Sequence, residues 1–235
     1  MLGATHHQYP WLVTTVEVDL LRYERPLVAR GEVVVGIDEV GRGALAGPLT
    51  VGAVVIVDTT PPPAALDDSK VLTPAIREAL VKPLESWAAE WSLGSVSAHE
   101  IDAWGLRLAL AVAATRALGG LRLVPSHALI DGSFNLLSAP LDIGFGVEPP
   151  PELMYARLPC TTIVKGDRVS AAIAAASVLA KVSRDQHMTR LHEDSPCYGW
   201  SSNKGYGAPE HLDAIRVHGT TIQHRRTWRL PEMRT

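Results

Sequence analysis

Apolar residues recur along this chain in two rhythms, one suited to strands and one to helices. Val33, Val34, Val35 and Ile37 form a β-branched run that reads as a buried strand. Leu49, Val51, Val54, Val55, Ile56 and Val57 form a second. Thr73 followed by Pro74 marks a helix start, and Ile76, Leu80, Leu84 and Trp87 carry the helical period to about residue 90. A short strand, Trp91 to Val96, follows. Ser97 with Glu100 is a capping-box pair, opening a helix through Ile101, Leu106, Leu110 and Ala114 to Leu118, which Gly119 and Gly120 end. His127 to Ile130 and Thr161 to Val164 read as two more strands, and Ser170 to Arg184 as an alanine-rich helix fit for close packing on a sheet. This order predicts an α/β sheet that begins with antiparallel strands and ends with parallel ones.

The remainder is less regular. The first 30 residues lack a clear period and read as an extension or short helix, and Thr59 to Pro63 is a proline-rich loop. Phe134 to Cys160 is loop-like, with Pro140, Gly144, Gly146 and three consecutive prolines from Pro149, and is long for a connection in a compact domain. In the alanine-rich helix, Ser170, Ser177, Lys181 and Arg184 fall on one stripe, interrupted by Ile173, with Ala175, Val178, Leu179 and Val182 opposite. That stripe is either a solvated face or a ligand-facing one.

Composition narrows the class. A chain of 235 residues that is 46% hydrophobic and 20% charged is an ordinary globular one. It has no apolar stretch of the roughly 18 residues a membrane span requires. The start, Met-Leu-Gly-Ala-Thr-His-His-Gln, lacks a basic region followed by an apolar one, so the expectation is a cytoplasmic protein. Cys160 and Cys197 stand alone and read as reduced thiols, and the nine histidines show no zinc spacing. Net charge is −3 but uneven. From Lys181 onward nine Lys and Arg face six Asp and Glu, a surplus of three positive charges, which leaves thirteen against nineteen before it. An acidic part followed by a basic tail is compatible with a metal site that meets nucleic acid through its C-terminal part.

The candidate chemistry lies where strands run into glycine. Asp38 and Glu39 follow the first strand-like run, Asp131 the strand ending at Ile130, and Asp167 the one ending near Val164. Ligands in open α/β sheets gather outside strand ends, so neighbouring strands could deliver all four acids to one edge. Carboxylates suit Mg²⁺ or Mn²⁺, and such a site can drive phosphodiester hydrolysis by water. Gly36, Gly41, Gly43 and Gly47 beside the first pair permit close approach of a ligand. A dinucleotide-binding reading fails, because Pro48 and a second β-branched run follow where a helix is required, and no Gly-Lys-Ser/Thr sequence supports a P-loop.

These residues resemble a known family. Gly36-Ile-Asp-Glu-Val-Gly-Arg-Gly43 with Gly47-Pro48, Asp67-Asp-Ser-Lys70, Ile130-Asp-Gly132, Lys165-Gly-Asp167, Ala174 to Asp185, Lys204-Gly-Tyr-Gly207, His211 and His224-Arg225 stand in the order of ribonuclease HII motifs, from about residue 31 to 228. The resemblance implies a ribonuclease H-like mixed sheet flanked by helices with a small helical C-terminal part. It divides the chain into an extension (1–30), a catalytic domain (31–190) and a substrate-binding part (191–235). It further implies a monomeric endonuclease acting on RNA–DNA hybrids and on DNA duplexes containing single ribonucleotides. By motif, Asp38, Glu39, Asp131 and Asp167 are its metal-binding acids, and Gly41, Arg42 and Gly43 recognise the 2′-hydroxyl that distinguishes RNA from DNA. Tyr206 stacks at the RNA-to-DNA junction, and Ser69, Lys70, Ser177, Lys181, Asn203 and Lys204 contact phosphates. The chain departs from the family pattern at Val71-Leu72, where a second lysine is usual, and in the length of the Phe134–Cys160 connection. The alternatives are another metal-dependent nuclease or phosphotransferase of the same superfamily, and an inert nucleic-acid-binding module. Retention of four acids argues against the latter, since a pure binder gains affinity by shedding negative charge near phosphates.

Overall fold

The computed structural model describes residues 18–137 and 157–232. Its centre is a five-stranded sheet made of β1 (Val34–Val40), β2 (Leu49–Ile56), β3 (Glu90–Val96), β4 (His127–Asp131) and β5 (Cys160–Ile163), in the order β3-β2-β1-β4-β5. β1, β2 and β3 pair antiparallel, whereas β4 and β5 extend the sheet in parallel, as the pattern of runs predicts. The long Phe134–Cys160 connection lies mostly outside the described residues.

Helices cover both faces. One face carries α3 (Ala98–Gly119), whose start is the expected capping box: Ser97 Oγ accepts from Glu100 N–H, and the Glu100 carboxylate accepts from Ser97 N–H. Gly105 kinks this helix with a φ of 72°, a break the periodicity did not announce. Val35, Ile37, Val51, Ala53 and Val55 bury against α3. The other face carries α4 (Ala171–Asp194), which runs ten residues beyond the predicted end, with α2 (Pro74–Trp87) outside it.

The seat of α4 depends on glycine. A Cβ on Gly36 would lie 2.2 Å from the Ala172 backbone, and one on Gly52 would lie 2.5 Å from the Ala176 carbonyl oxygen. Small residues on both partners let the helix axis sink onto β1 and β2. The polar stripe of α4 is therefore no solvated face, since Ser170, Ser177 and Arg184 are all buried.

From residue 18, where its described part begins, the N-terminal stretch packs on this core. In the short α1 (Glu24–Val28), the buried Glu24 carboxylate accepts from Ser170 Oγ at 2.6 Å and from Ala172 N–H at 3.1 Å, capping the start of α4. Beyond α4, α5 (Trp200–Asn203) and α6 (Pro209–His218) pack around Tyr198, Trp200 and Met188. Among the described residues, no helix is long and apolar enough to cross a membrane.

Candidate active site

Strand register brings the acids together. On β1 the alternation of side chains sends Val34, Gly36 and Asp38 toward α4, and Val35, Ile37 and Glu39 toward the other face. The parallel pairing of β1 with β4 matches Ile37 with Ile130, so Asp38 and Asp131 are the next residues on each strand. The acids of the first pair thus lie inside β1 rather than past its end, with β2 still paired alongside them. Asp167 arrives from the 3₁₀ turn Gly166–Arg168 just beyond β5. Carboxylate oxygens of Asp38, Asp131 and Asp167 all lie within 4.8 Å of one another. Glu39 is outside that trio, as strand alternation requires, and its carboxylate lies 3.5 Å from the Arg42 guanidinium.

The turn that delivers Asp167 is tightly specified. Lys165 adopts a left-handed conformation with φ of 57°, which costs a non-glycine residue roughly 1 kcal/mol. It aims Gly166 N–H at Asp131 Oδ1, 2.7 Å away. A Cβ on Gly166 would lie 2.6 Å from Ile173 Cδ1 and 3.3 Å from Asp131 Oδ1, so a side chain there would push Ile173 aside and crowd the Asp131 carboxylate.

Burial and mutual repulsion load the cluster with unfavourable charge. Burial chiefly raises Asp38 to a pKa of about 7, with Glu39 and Asp131 adding to the rise and a hydrogen bond from Ser177 opposing it. Burial also raises Asp167 and Glu39, and Asp131 contributes to both shifts. Lys70 answers part of this charge, its Nζ lying 2.8 Å from Asp167 Oδ2. Although burial works against the ammonium, Asp167, Asp38 and Asp68 hold its pKa above the ordinary lysine value. Three convergent carboxylates, desolvated and partly neutralised by a lysine, fit a hard divalent cation.

Around the acids runs a cleft of about 230 Å³, lined by the Val40–Gly43 segment, Ser69, Lys70, Ser177, Lys181 and Tyr206 along with Asp38 and Glu39. Ser69 and Ser177 share a 2.7 Å hydrogen bond, and Lys181 pairs with Asp185 at 2.6 Å. Lys204 stands to one side with its Nζ 2.8 Å from Thr189 Oγ1. Asn203 is used within its own turn: its Nδ2 donates to the Tyr198 carbonyl at 2.7 Å and its Oδ1 accepts from Gly205 N–H at 2.8 Å.

Two buried arginines shape the glycine loop, and the sequence reading gave neither of them a role. Arg225 donates to the carbonyls of Arg42 at 3.0 Å, Gly41 at 2.6 Å and Gly47 at 3.1 Å. In a trans peptide the N–H points opposite to the C=O, so drawing the Gly41 and Arg42 carbonyls inward turns the N–H groups of Arg42 and Gly43 outward. Arg184 donates to Pro48, Lys204 and Ala46 carbonyls and lies 5.4 Å from the centre of the Tyr206 ring. Arginine that donates to carbonyls instead of carboxylates leaves no charge-pair signature in a sequence. The conspicuous signal was the run Gly41-Arg-Gly with Gly47, which needs something to hold it.

Comparison with known proteins finds relatives over most of the chain. A family model described as Ribonuclease HII matches residues 35–230. The chain is 44% identical over 211 residues to Ribonuclease HII of Geobacillus thermodenitrificans, covering 89% of this chain and 74% of that protein. It is 46% identical over 195 residues to Ribonuclease HII of an Acidovorax species, covering 83% and 84%. Among solved structures, the ribonuclease H2 from Pyrococcus horikoshii superposes with a TM-score of 0.60 at 26% identity, over 83% of this chain and 93% of that one. On the breadth of the family match and of these identities, the chain belongs to the ribonuclease HII family.

Proposed function

We propose that this protein is an endonuclease that hydrolyses the RNA strand of RNA–DNA hybrids and cuts at single ribonucleotides embedded in duplex DNA. The observation that carries the reading is the convergence of Asp38, Asp131 and Asp167 within 4.8 Å at a cleft lined by Gly41, Arg42, Gly43 and Tyr206. Asp38, Asp131 and Asp167, with Glu39 beside them, would hold Mg²⁺ or Mn²⁺. When bound, the cation supplies Lewis-acid activation of water and of the scissile phosphate.

The other roles belong to the chain's own groups. The outward N–H groups of Arg42 and Gly43 meet the 2′-hydroxyl, which only a ribonucleotide presents. Tyr206 stacks at the junction, and Lys70, Lys181, Lys204, Ser69 and Ser177 meet backbone phosphates. Asn203 serves by fixing the turn that carries Lys204 and Tyr206. In this reading residues 31–190 form the catalytic part, residues 191–235 the substrate-binding part and residues 1–30 the extension, in a cytoplasmic monomer.

Incubation with Mg²⁺ or Mn²⁺ and three duplexes tests the proposal: DNA only, RNA–DNA hybrid, and DNA with one ribonucleotide. Cleavage is expected in the last two, leaving 5′-phosphate and 3′-hydroxyl ends, because water and not the neighbouring 2′-hydroxyl is the nucleophile. Cleavage of the all-DNA duplex, or a 2′,3′-cyclic phosphate on the product, would sink it.

A further inference from the structure

Beneath Tyr206 lies a buried chain of rings whose hydrogen bonds run in one direction. Thr221 N–H donates to His224 Nδ1 at 2.9 Å, so a neutral His224 carries its proton on Nε2. That nitrogen lies 3.2 Å from His211 Nε2. Trp200 Nε1–H, which can only donate, reaches the same His211 Nε2 at 3.1 Å. Two donors on one nitrogen leave it the acceptor, and the His211 proton is assigned to Nδ1. From there it is given to the Tyr206 carbonyl, 2.8 Å away.

Trp200, His211 and His224 are each no more than 1% exposed. Burial lowers the pKa of both histidines, which keeps them neutral and the tautomers fixed. A buried network with every member satisfied is rigid, because each broken bond leaves an unpaired polar group away from water. The one end of this network that reaches the cleft is Tyr206.

We infer that His211 is a positioning residue for the substrate: through Nδ1–H it sets the backbone of Tyr206, and with it the ring plane that selects an RNA-to-DNA junction. Arg184 supports the same ring from below, while the amide of Asn203 fixes the preceding turn. The inference rests on the proposal that Tyr206 meets the junction.

Two substitutions separate the ends of the imidazole. His211→Asn keeps a donor near the Nδ1 position and loses the acceptor for Trp200 and His224. His211→Gln keeps an acceptor near Nε2 and loses the donor to Tyr206. The readout is the ratio of kcat/KM on a duplex with one ribonucleotide to kcat/KM on a long hybrid, with thermal melts alongside. The expected result is that Gln lowers this ratio by about three- to tenfold, mainly through KM, as loss of one hydrogen bond implies. Asn is expected to lower the melting temperature yet leave the ratio near that of the parent.

In a Tyr206→Ala background neither substitution should move the ratio further. A nitrogen-15 spectrum of the parent should show His211 protonated at Nδ1 and His224 at Nε2. Should the Gln variant fail to fold, Trp200→Phe, which disturbs only the acceptor end of His211, is expected like His211→Asn to leave the ratio near that of the parent. A lowered ratio there overturns the inference, and the tautomers in the parent's spectrum decide the donor end. An unchanged ratio in the Gln variant beside a lowered one in Tyr206→Ala overturns the inference alone, as do the opposite tautomers. An unchanged ratio in Tyr206→Ala overturns the role of Tyr206, and the inference with it.

Discussion

Asp38 is enclosed among like charges, so the carboxylate proposed to hold the metal is also a source of instability. Asp38→Asn removes the charge while keeping the shape, and is expected to reduce cleavage to below about one hundredth of the parent rate, since even outer partners of metal ligands matter 10–100-fold. Without added metal the variant should melt at the same temperature or higher, because clustered carboxylates repel. Mg²⁺ should then stabilise the parent more than the variant, by mass action on the native state. Equal shifts would remove Asp38 from the ligand set. His224 gives a pH test of opposite sign. Burial, aided by His211 and Arg226, lowers its pKa from 6.5 to about 4 in the folded protein. Between those values the unfolded chain binds the proton and the folded one does not, so stability present above pH 6.5 is lost as pH falls toward 4. Melting curves across that range should show the loss, and His224→Gln should flatten it. At this scale the acids were legible by recurrence, since an acid beside glycine can serve a turn alone, whereas four of them each following an apolar run share one arrangement. The separation of Glu39 from the trio followed from strand alternation, but only once β1 was seen to continue through it. Arg184 and Arg225 were legible as motif members and not as clamps, since their partners are carbonyls that any sequence supplies.

Among elements, the contact of α4 with β1 and β2 decides the geometry of the cleft. Ser177 is the residue after Ala176, whose carbonyl lies where a Cβ of Gly52 would go. Gly52→Ala is therefore expected to lift that turn of α4 and destabilise the protein by about 1–3 kcal/mol, the usual range for overpacking. Activity should fall as well, because Ser177 bonds Ser69 and Asp38. Urea unfolding with parallel assays checks both, and a destabilised variant of full specific activity would contradict the link. The existence and type of the elements were readable from the alternation of Val34 to Ile37, the Thr73-Pro74 start and the Ser97–Glu100 box. Their extent was less so. Glu24 gave no sign that it caps α4 from 146 residues away, and nothing in the run through Gly105 distinguished a kink from a continuous helix. Long-range partners of this kind are chosen by packing and not by local propensity.

Over the whole molecule, the acids assemble because β1, β4 and β5 are neighbours, while the excess of basic residues lies from Lys181 onward. Binding of a polyanion through that part releases counterions, so log(kcat/KM) is expected to fall linearly with log salt concentration below saturation. Lys204→Gln should reduce the slope by about one and weaken both substrates alike, as loss of a single phosphate contact does. A slope unchanged from that of the parent would take Lys204 off the phosphate path. The charge division was visible in the sequence, whereas the closure of the C-terminal part onto the glycine loop was not. That closure also imposes an order on synthesis. By the time the ribosome has translated Asp167, every acid of the cluster has been made, yet the Gly41–Gly47 loop lacks the guanidinium that gathers three of its carbonyls until residue 225 emerges. A nascent chain thus carries the three converging carboxylates before it carries the guanidinium that gathers the glycine loop, so the acid end of the cleft can assemble before its Gly41–Gly47 edge is fixed.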